Sequence, residues 1–213
     1  MSAYVKFTSE CVNSALSPFT GFAELNAYRR RLLELRLIGV DSSGISFGNL
    51  SIRDGVTNNF HITGSGTGGI SQLTLAHCAK VVAYDFERNC VRYEGSTIPS
   101  SESLTHAAIY KSDTATRTVI HCHDSRLWVA LLDQAPTSAK TVRYGTPEMA
   151  HEITRLFTVT DIESRKVLVM AGHEGGIVTF GRNLDEAFAV LMRERTRSSA
   201  CVGTGFHKRT PLC

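Results

Sequence analysis

Along residues 22–40, FAELNAYRRRLLELRLIGV, the apolar positions Leu25, Tyr28, Leu32, Leu33, Leu35 and Leu37 recur at three- and four-residue spacing, the period of a helix with one face on a core. Gly39 is the expected stop. After the polar DSSG the pattern changes to runs of β-formers: ISFGNLSIR and NFHIT, joined by DGVTN, predict a hairpin. A glycine-rich stretch, Thr63 to Gly69 (TGSGTGG), then breaks the pattern. AKVVAYDF and CVRYEG alternate apolar and polar residues and predict two further strands. STIPSSESLTHAAIYKS returns to helical spacing through Leu104, Ala107, Ala108 and Tyr110, with Ser100 or Ser101 as cap and Glu102 in the first turn.

The second half continues the mixture. TVIHCH reads as a buried strand, SRLWVALLD as a helix, and GTPEMAHEITRLF as another, with Thr146 able to cap and Pro147 suited to the first helical position. KVLVMA and GIVTF are apolar strands around GHEGG, and NLDEAFAVLMRER opens with an Asn183/Glu186 capping box into a last helix. Strands and helices mix without strict alternation and several strands look hairpin-linked, so the expectation is an α/β chain with a largely antiparallel sheet and helices packed on it. There is no internal repeat and no internal domain boundary. Residues 1–20 form an N-terminal extension, 21–196 one domain, and 197–213 an aperiodic, loosely ordered tail.

Length and composition narrow the class. A chain of 213 residues is the size of one large domain with a sizeable core. No apolar run approaches the ~20 residues that span a bilayer, and the N-terminus lacks the basic and apolar regions of a secretory signal, which makes a cytoplasmic protein the expectation. Six cysteines without CxxC spacing point to reduced thiols rather than a disulfide framework. The net charge is only +3, and the basic runs Arg29, Arg30, Arg31 and Arg193, Arg195, Arg197 fall on helical patterns among Glu and Leu. They read as solvated helix surface, with neither nucleic acid nor membrane expected as a partner.

Chemistry concentrates at the end of one strand. In TVIHCHDS successive side chains alternate faces, so His121 and His123 point one way and Ile120 and Cys122 the other. Two imidazoles on one face are either half a metal site or polar residues on a solvated face. A catalytic zinc takes three protein ligands, and His173 is the best third, because it too ends an apolar strand and enters a glycine-rich turn. His61, His77, His151 and His207 read as surface or loop, and His106 lies on a helix. Glu102 suits a general base if it faces such a site, or simply a helix's first turn, where the macrodipole favours it. SFGN, TGSG and PSS offer hydroxyls, an amide and bare backbone N–H groups, which hold phosphate without Lys or Arg.

The pieces GNLSIR, ITGSG, PSSE, HAAIY, VIHCH, a later GH and the closing GRNLDEA occur in the order found in the class II aldolase/adducin family, which the chain resembles over roughly residues 20 to 195. The resemblance implies a single-domain α/β/α sandwich around a mostly antiparallel central sheet, commonly a homotetramer. It implies Zn2+, or another divalent metal, held by His121, His123 and His173, with Glu102 as acid/base. It implies phosphate held by Ser46, Asn49, Ser65, Gly66, Ser100 and Ser101. The implied reaction is cleavage of a C–C bond in a phosphorylated sugar or related hydroxy-ketone through a metal-stabilised enediolate. A decarboxylase or dehydratase of a sugar-phosphate derivative is the alternative on the same metal site, and a non-catalytic adducin-like interaction module is a third reading.

Three departures touch the substrate end. Between Leu132 and Tyr144 the connection is short, where the family's sugar-phosphate aldolases carry a longer segment with a tyrosine that helps protonate the leaving aldehyde. Tyr144 lies nearby, with strand packing as its simplest role. His173 is followed by EGG rather than directly by glycine, and Asp124 follows the second histidine, where it can orient a ligand or cap the next helix. Glu102 separates the chain from the family's epimerases, which carry aspartate there.

Overall fold

The first strand is one that the hydropathy pattern does not announce: Thr8–Asn13 (β1) adds to a sheet edge from within the expected N-terminal extension. The structure, a computed structural model, describes residues 7–203. After β1 come α1 (Phe22–Glu34), β2 (Gly39–Val40), β3 (Ser46–Phe47), β4 (Asn49–Arg53), β5 (Phe60–Thr63), β6 (Cys78–Asp85), β7 (Cys90–Glu94), α2 (Ser103–Ser112) and β8 (Thr118–His123). The chain continues with α3 (Ser125–Leu131), α4 (Pro147–Val159), α5 (Ile162–Arg165), β9 (Val167–Val169), β10 (Gly176–Gly181) and α6 (Leu184–Gly203).

Eight strands form one sheet in the order β1-β7-β6-β5-β4-β8-β10-β9. The expected hairpin β4–β5 is present, β6 and β7 form a second, and every adjacent pair is antiparallel except β1–β7. Alternation then sorts each strand's residues onto two cores. Leu50, Ile120, Cys122 and Ile177 meet α1, α3 and α6 through Leu25, Leu127 and Leu191. Phe60, Ile62, Val119, Val178 and Phe180 meet α2 and α4 through Leu104, Ile109, Met149 and Ile153. The α/β/α sandwich follows, because a sheet apolar on both faces must be covered on both. Positions 121 and 123 share the face of Val119, beneath α2.

Four local expectations are corrected. The first helix stops at Glu34 rather than running toward Gly39: Arg36 takes a left-handed φ of 56°, Arg36 N–H donates to the Leu33 carbonyl and Leu37 N–H to the Leu32 carbonyl, both at 2.9 Å. That pair of bonds is a Schellman closure, and it frees Leu37 and Ile38 to turn into the core. Arg29, read as solvated surface, is buried. Its guanidinium donates to the carbonyls of Thr67, Gly68 and Ile70 and so anchors the glycine-rich loop. His61, also read as surface, is buried and stacks on Phe19 with ring centroids 3.9 Å apart. The expected loose tail is helical through residue 203; residues 204–213 lie outside the described part. The described cysteines Cys11, Cys78, Cys90 and Cys122 are free thiols, as the spacing predicted.

Candidate metal centre

The β8 end brings His121 and His123 to the edge of the α2 face, and the turn before β10 brings His173 back to meet them. That return is tight. Gly176 pairs with His123 across β8–β10, and a Cβ on it would lie 2.7 Å from the His173 ring, so only glycine lets the strand start beside the imidazole. Gly172, just before the histidine, lies against the Val142 carbonyl oxygen, where no side chain fits.

The three imidazoles converge. One nitrogen from each lies within 4.8 Å of the others, and His123 Nε2 and His173 Nε2 are 2.9 Å apart. Burial lowers the proton affinity of His123 to about 4. It holds His121 well below the usual imidazole value, with His123, His173 and His106 acting the same way. Burial thus keeps His121 and His123 neutral, and the buried His121 Nε2 has no hydrogen-bond partner among the described residues. An orphaned ring nitrogen in that company fits a divalent cation of intermediate softness such as zinc, which takes neutral imidazoles at three corners of a tetrahedron.

Aromatic packing supports the cluster. Phe47 lies against His123 with centroids 5.2 Å apart, and Tyr144 stacks on His173 at 3.8 Å with an interplanar angle of 29°. Tyr144 is thus at the centre rather than packed in a strand, and a loop position carried no periodicity that could have shown it. Asp124 takes the capping role: it accepts from Leu127 N–H at 3.0 Å at the start of α3, and its other oxygen pairs with Arg195 of α6 at 2.9 Å.

Glu102 is buried at the N-cap position of α2, one residue before the first turn where the pattern placed it. Thr105 Oγ1 donates to its Oε2 at 2.7 Å. One turn on, His106 is fully enclosed. Ser51 Oγ lies 2.7 Å from both His106 Nδ1 and the Tyr110 hydroxyl. Burial keeps His106 neutral, with a pKa near 3, and the ring lies close enough to His121 to bear on that residue's charge. His106 follows Glu102 at helical spacing, the one signal that could have marked it.

The small residues also assemble. Gly64 bridges to Pro99, Ser65 N–H donates to Ile98 carbonyl at 2.8 Å, and Ser100 N–H to Thr63 carbonyl at 3.2 Å. Ser65 and Gly66 therefore lie on the loop beside Ser100 and Ser101. Gly66 takes a φ of 77° with open space at its Cα. Ser46 Oγ accepts from Gly68 N–H at 3.2 Å, tying the third segment to the same loop. Asn49 faces His121 across β4–β8, its carboxamide 3.2 Å from His121 Nδ1. A separate cavity of about 700 Å³, lined by Phe19, Arg53, His61, Lys80 and Arg117, contains none of these residues and opens at the far end of β4.

Comparison with known proteins identifies the family and the fold. The family model for the class II aldolase and adducin N-terminal domain matches residues 41–194. A solved L-fuculose 1-phosphate aldolase superposes with a TM-score of 0.67 at 23% identity, covering 93% of this chain and 92% of its own. A sugar-phosphate aldolase from Thermotoga maritima gives 0.66 at 15%, covering 89% and 97%. An L-fuculose 1-phosphate aldolase from Glaciozyma antarctica PI12 gives 0.57 at 15%, covering 93% and 82%. At these identities the structural likeness establishes the shared fold. No curated protein matches in sequence.

Proposed function

The chain belongs to the class II aldolase/adducin family and is a lyase of the aldolase type, and from that premise we propose that it cleaves a C–C bond in a phosphorylated sugar or related hydroxy-ketone. The carrying observation is the cluster of three imidazoles with ring nitrogens within 4.8 Å. His121, His123 and His173 would hold a divalent metal, Zn2+ in this reading. When bound, the ion supplies Lewis-acid stabilisation of negative charge developing on substrate oxygens.

The chain's own groups supply the rest. Ser46, Asn49, Ser65, Gly66, Ser100 and Ser101 bind the remote phosphate through hydroxyls, amide and backbone N–H groups, which fixes the reacting carbons relative to the histidines. Glu102 moves the proton, its carboxylate steadied by Thr105. Burial of His121 and Glu102 keeps water from competing. A homo-oligomer, a tetramer by the family's habit, and a cytoplasmic location complete the reading; among the described residues no helix is long and apolar enough to cross a membrane.

Three measurements test it. Protein purified without chelators should carry about one divalent ion per chain, and His123→Ala should carry none. Glu102→Gln should keep the ion while turnover drops by about 10²- to 10⁴-fold. Products from zinc-loaded protein offered phosphorylated ketoses, aldonates and 3-keto acids should show C–C cleavage to a phosphate-bearing fragment and an aldehyde. A chain that binds no metal and turns over none of these substrates is an interaction module instead.

A further inference from the structure

We infer that Asn49 is a positioning residue for the metal ligand His121, with its side-chain carbonyl accepting the ring's Nδ1 proton and so aiming Nε2 at the ion. The inference rests on the metal reading above and goes beyond it, because the phosphate role alone gives Asn49 no duty toward a histidine.

Two orphaned atoms carry the argument. Asn49 and His121 are directly paired across β4–β8, and both are buried. The carboxamide Nδ2 lies 3.2 Å from His121 Nδ1, while Asn49 Oδ1 and His121 Nε2 both lack a hydrogen-bond partner among the described residues. If the amide nitrogen faces the ring, Nδ1 must accept and a neutral imidazole must carry its proton on Nε2. Two buried polar atoms then go unsatisfied.

A half-turn about the carboxamide's terminal bond exchanges oxygen for nitrogen at nearly the same positions. Oδ1 then accepts from Nδ1–H, the proton leaves Nε2, and Nε2 offers its lone pair toward His123 and His173. One rotation and one ion thus give partners to Asn49 Oδ1 and His121 Nε2, and the amide nitrogen takes the buried place that Oδ1 held. A hydrogen bond to the second ring nitrogen is the general device that fixes a ligand histidine's tautomer and raises its basicity. Asn49 is placed to provide it from the neighbouring strand rather than from a loop, so its position is held by the β4–β8 ladder.

The test compares zinc affinity, by competition with a chromophoric chelator, in full-length wild type, Asn49→Leu and Asn49→Asp. Leucine keeps the shape but cannot accept, and should weaken zinc binding about 10- to 100-fold. Aspartate keeps an acceptor and should bind zinc at least as tightly as wild type. Leucine binding as tightly as wild type, with only the KM for substrate raised, overturns the inference while leaving the metal centre standing. Equal loss in both variants overturns it too, because packing rather than the acceptor would then matter. Wild type that takes up no zinc overturns both this and the proposed function. Should Asn49→Leu not fold, wild type decides: in zinc-loaded protein the His121 ring must ligate through Nε2, with a slowly exchanging Nδ1 proton coupled across a hydrogen bond to the Asn49 carbonyl carbon. A fast-exchanging, uncoupled Nδ1 proton overturns the assignment.

Discussion

Gly172 shows how a residue with no chemistry of its own sets the geometry of one that has it. Its Cα lies against the backbone carbonyls of Val142 and Lys140, so the loop carrying Tyr144 and the turn carrying His173 touch backbone to backbone. Gly172→Ala must push these segments apart. The expected result is a loss of about 1–3 kcal/mol in unfolding free energy, measured by urea denaturation, together with weaker zinc binding as Tyr144 leaves the His173 ring. Unchanged stability would mean that the contact has slack. His121 makes the complementary point, since burial, aided by the neighbouring histidines, keeps it unprotonated, and that leaves a ring nitrogen whose natural partner is a cation.

At the scale of elements, β8 does two jobs through alternation. Ile120 and Cys122 seal the core under α1, α3 and α6, while His121 and His123 present nitrogen on the α2 face. What ends the strand matters as much. Asp124 caps α3 and also pairs with Arg195, so a single carboxylate joins the strand's last residue to α3 and α6. Asp124→Ala should cost roughly 1–2 kcal/mol, most of it the lost cap and little of it the partly exposed ion pair. Asp124→Asn retains a cap oxygen and should recover most of that loss. Thermal unfolding of the two variants decides; equal destabilisation would assign the effect to Arg195 instead.

At the scale of the molecule, the sandwich buries imidazoles on both sides of its sheet, which makes its stability depend on pH. Burial holds His61 at about 4 and His106 near 3, both below the ~6.5 of an unfolded histidine. Below pH 6.5 the unfolded chain therefore binds more protons than the folded one, and stability falls as pH falls toward those values. Their contribution is fully present above about 6.5. By pH 5 each neutral buried histidine should have cost about 2 kcal/mol, read as the difference between urea unfolding at pH 7.5 and pH 5. His61→Phe, which keeps the stack on Phe19, should flatten that slope, and an unchanged slope would put the acid sensitivity elsewhere.

Sequence alone determined what depends on local period and residue type: the β4–β5 hairpin, the main helices, the largely antiparallel sheet and the nomination of His121, His123 and His173, which the fold brings together. His121 and His123 stand two apart in one apolar run, where strand alternation dictates a shared face without reference to the rest of the fold, and His173 stands in the glycine-rich turn that follows another. Tertiary structure decided what depends on which elements meet. Nothing in the run Arg29, Arg30, Arg31 says that its first guanidinium turns inward to hold the glycine-rich loop. Leu37 looked like the next turn of a helix until the core drew it away. Tyr144 and His106 acquire their neighbours only when a loop and a helix close over the end of β8. Asn49 likewise reads as a phosphate ligand in its own segment and faces a histidine only because β4 pairs with β8. Periodicity reports a residue's own backbone and never its partners across the sheet, so the three histidines were legible and the groups packed around them were not.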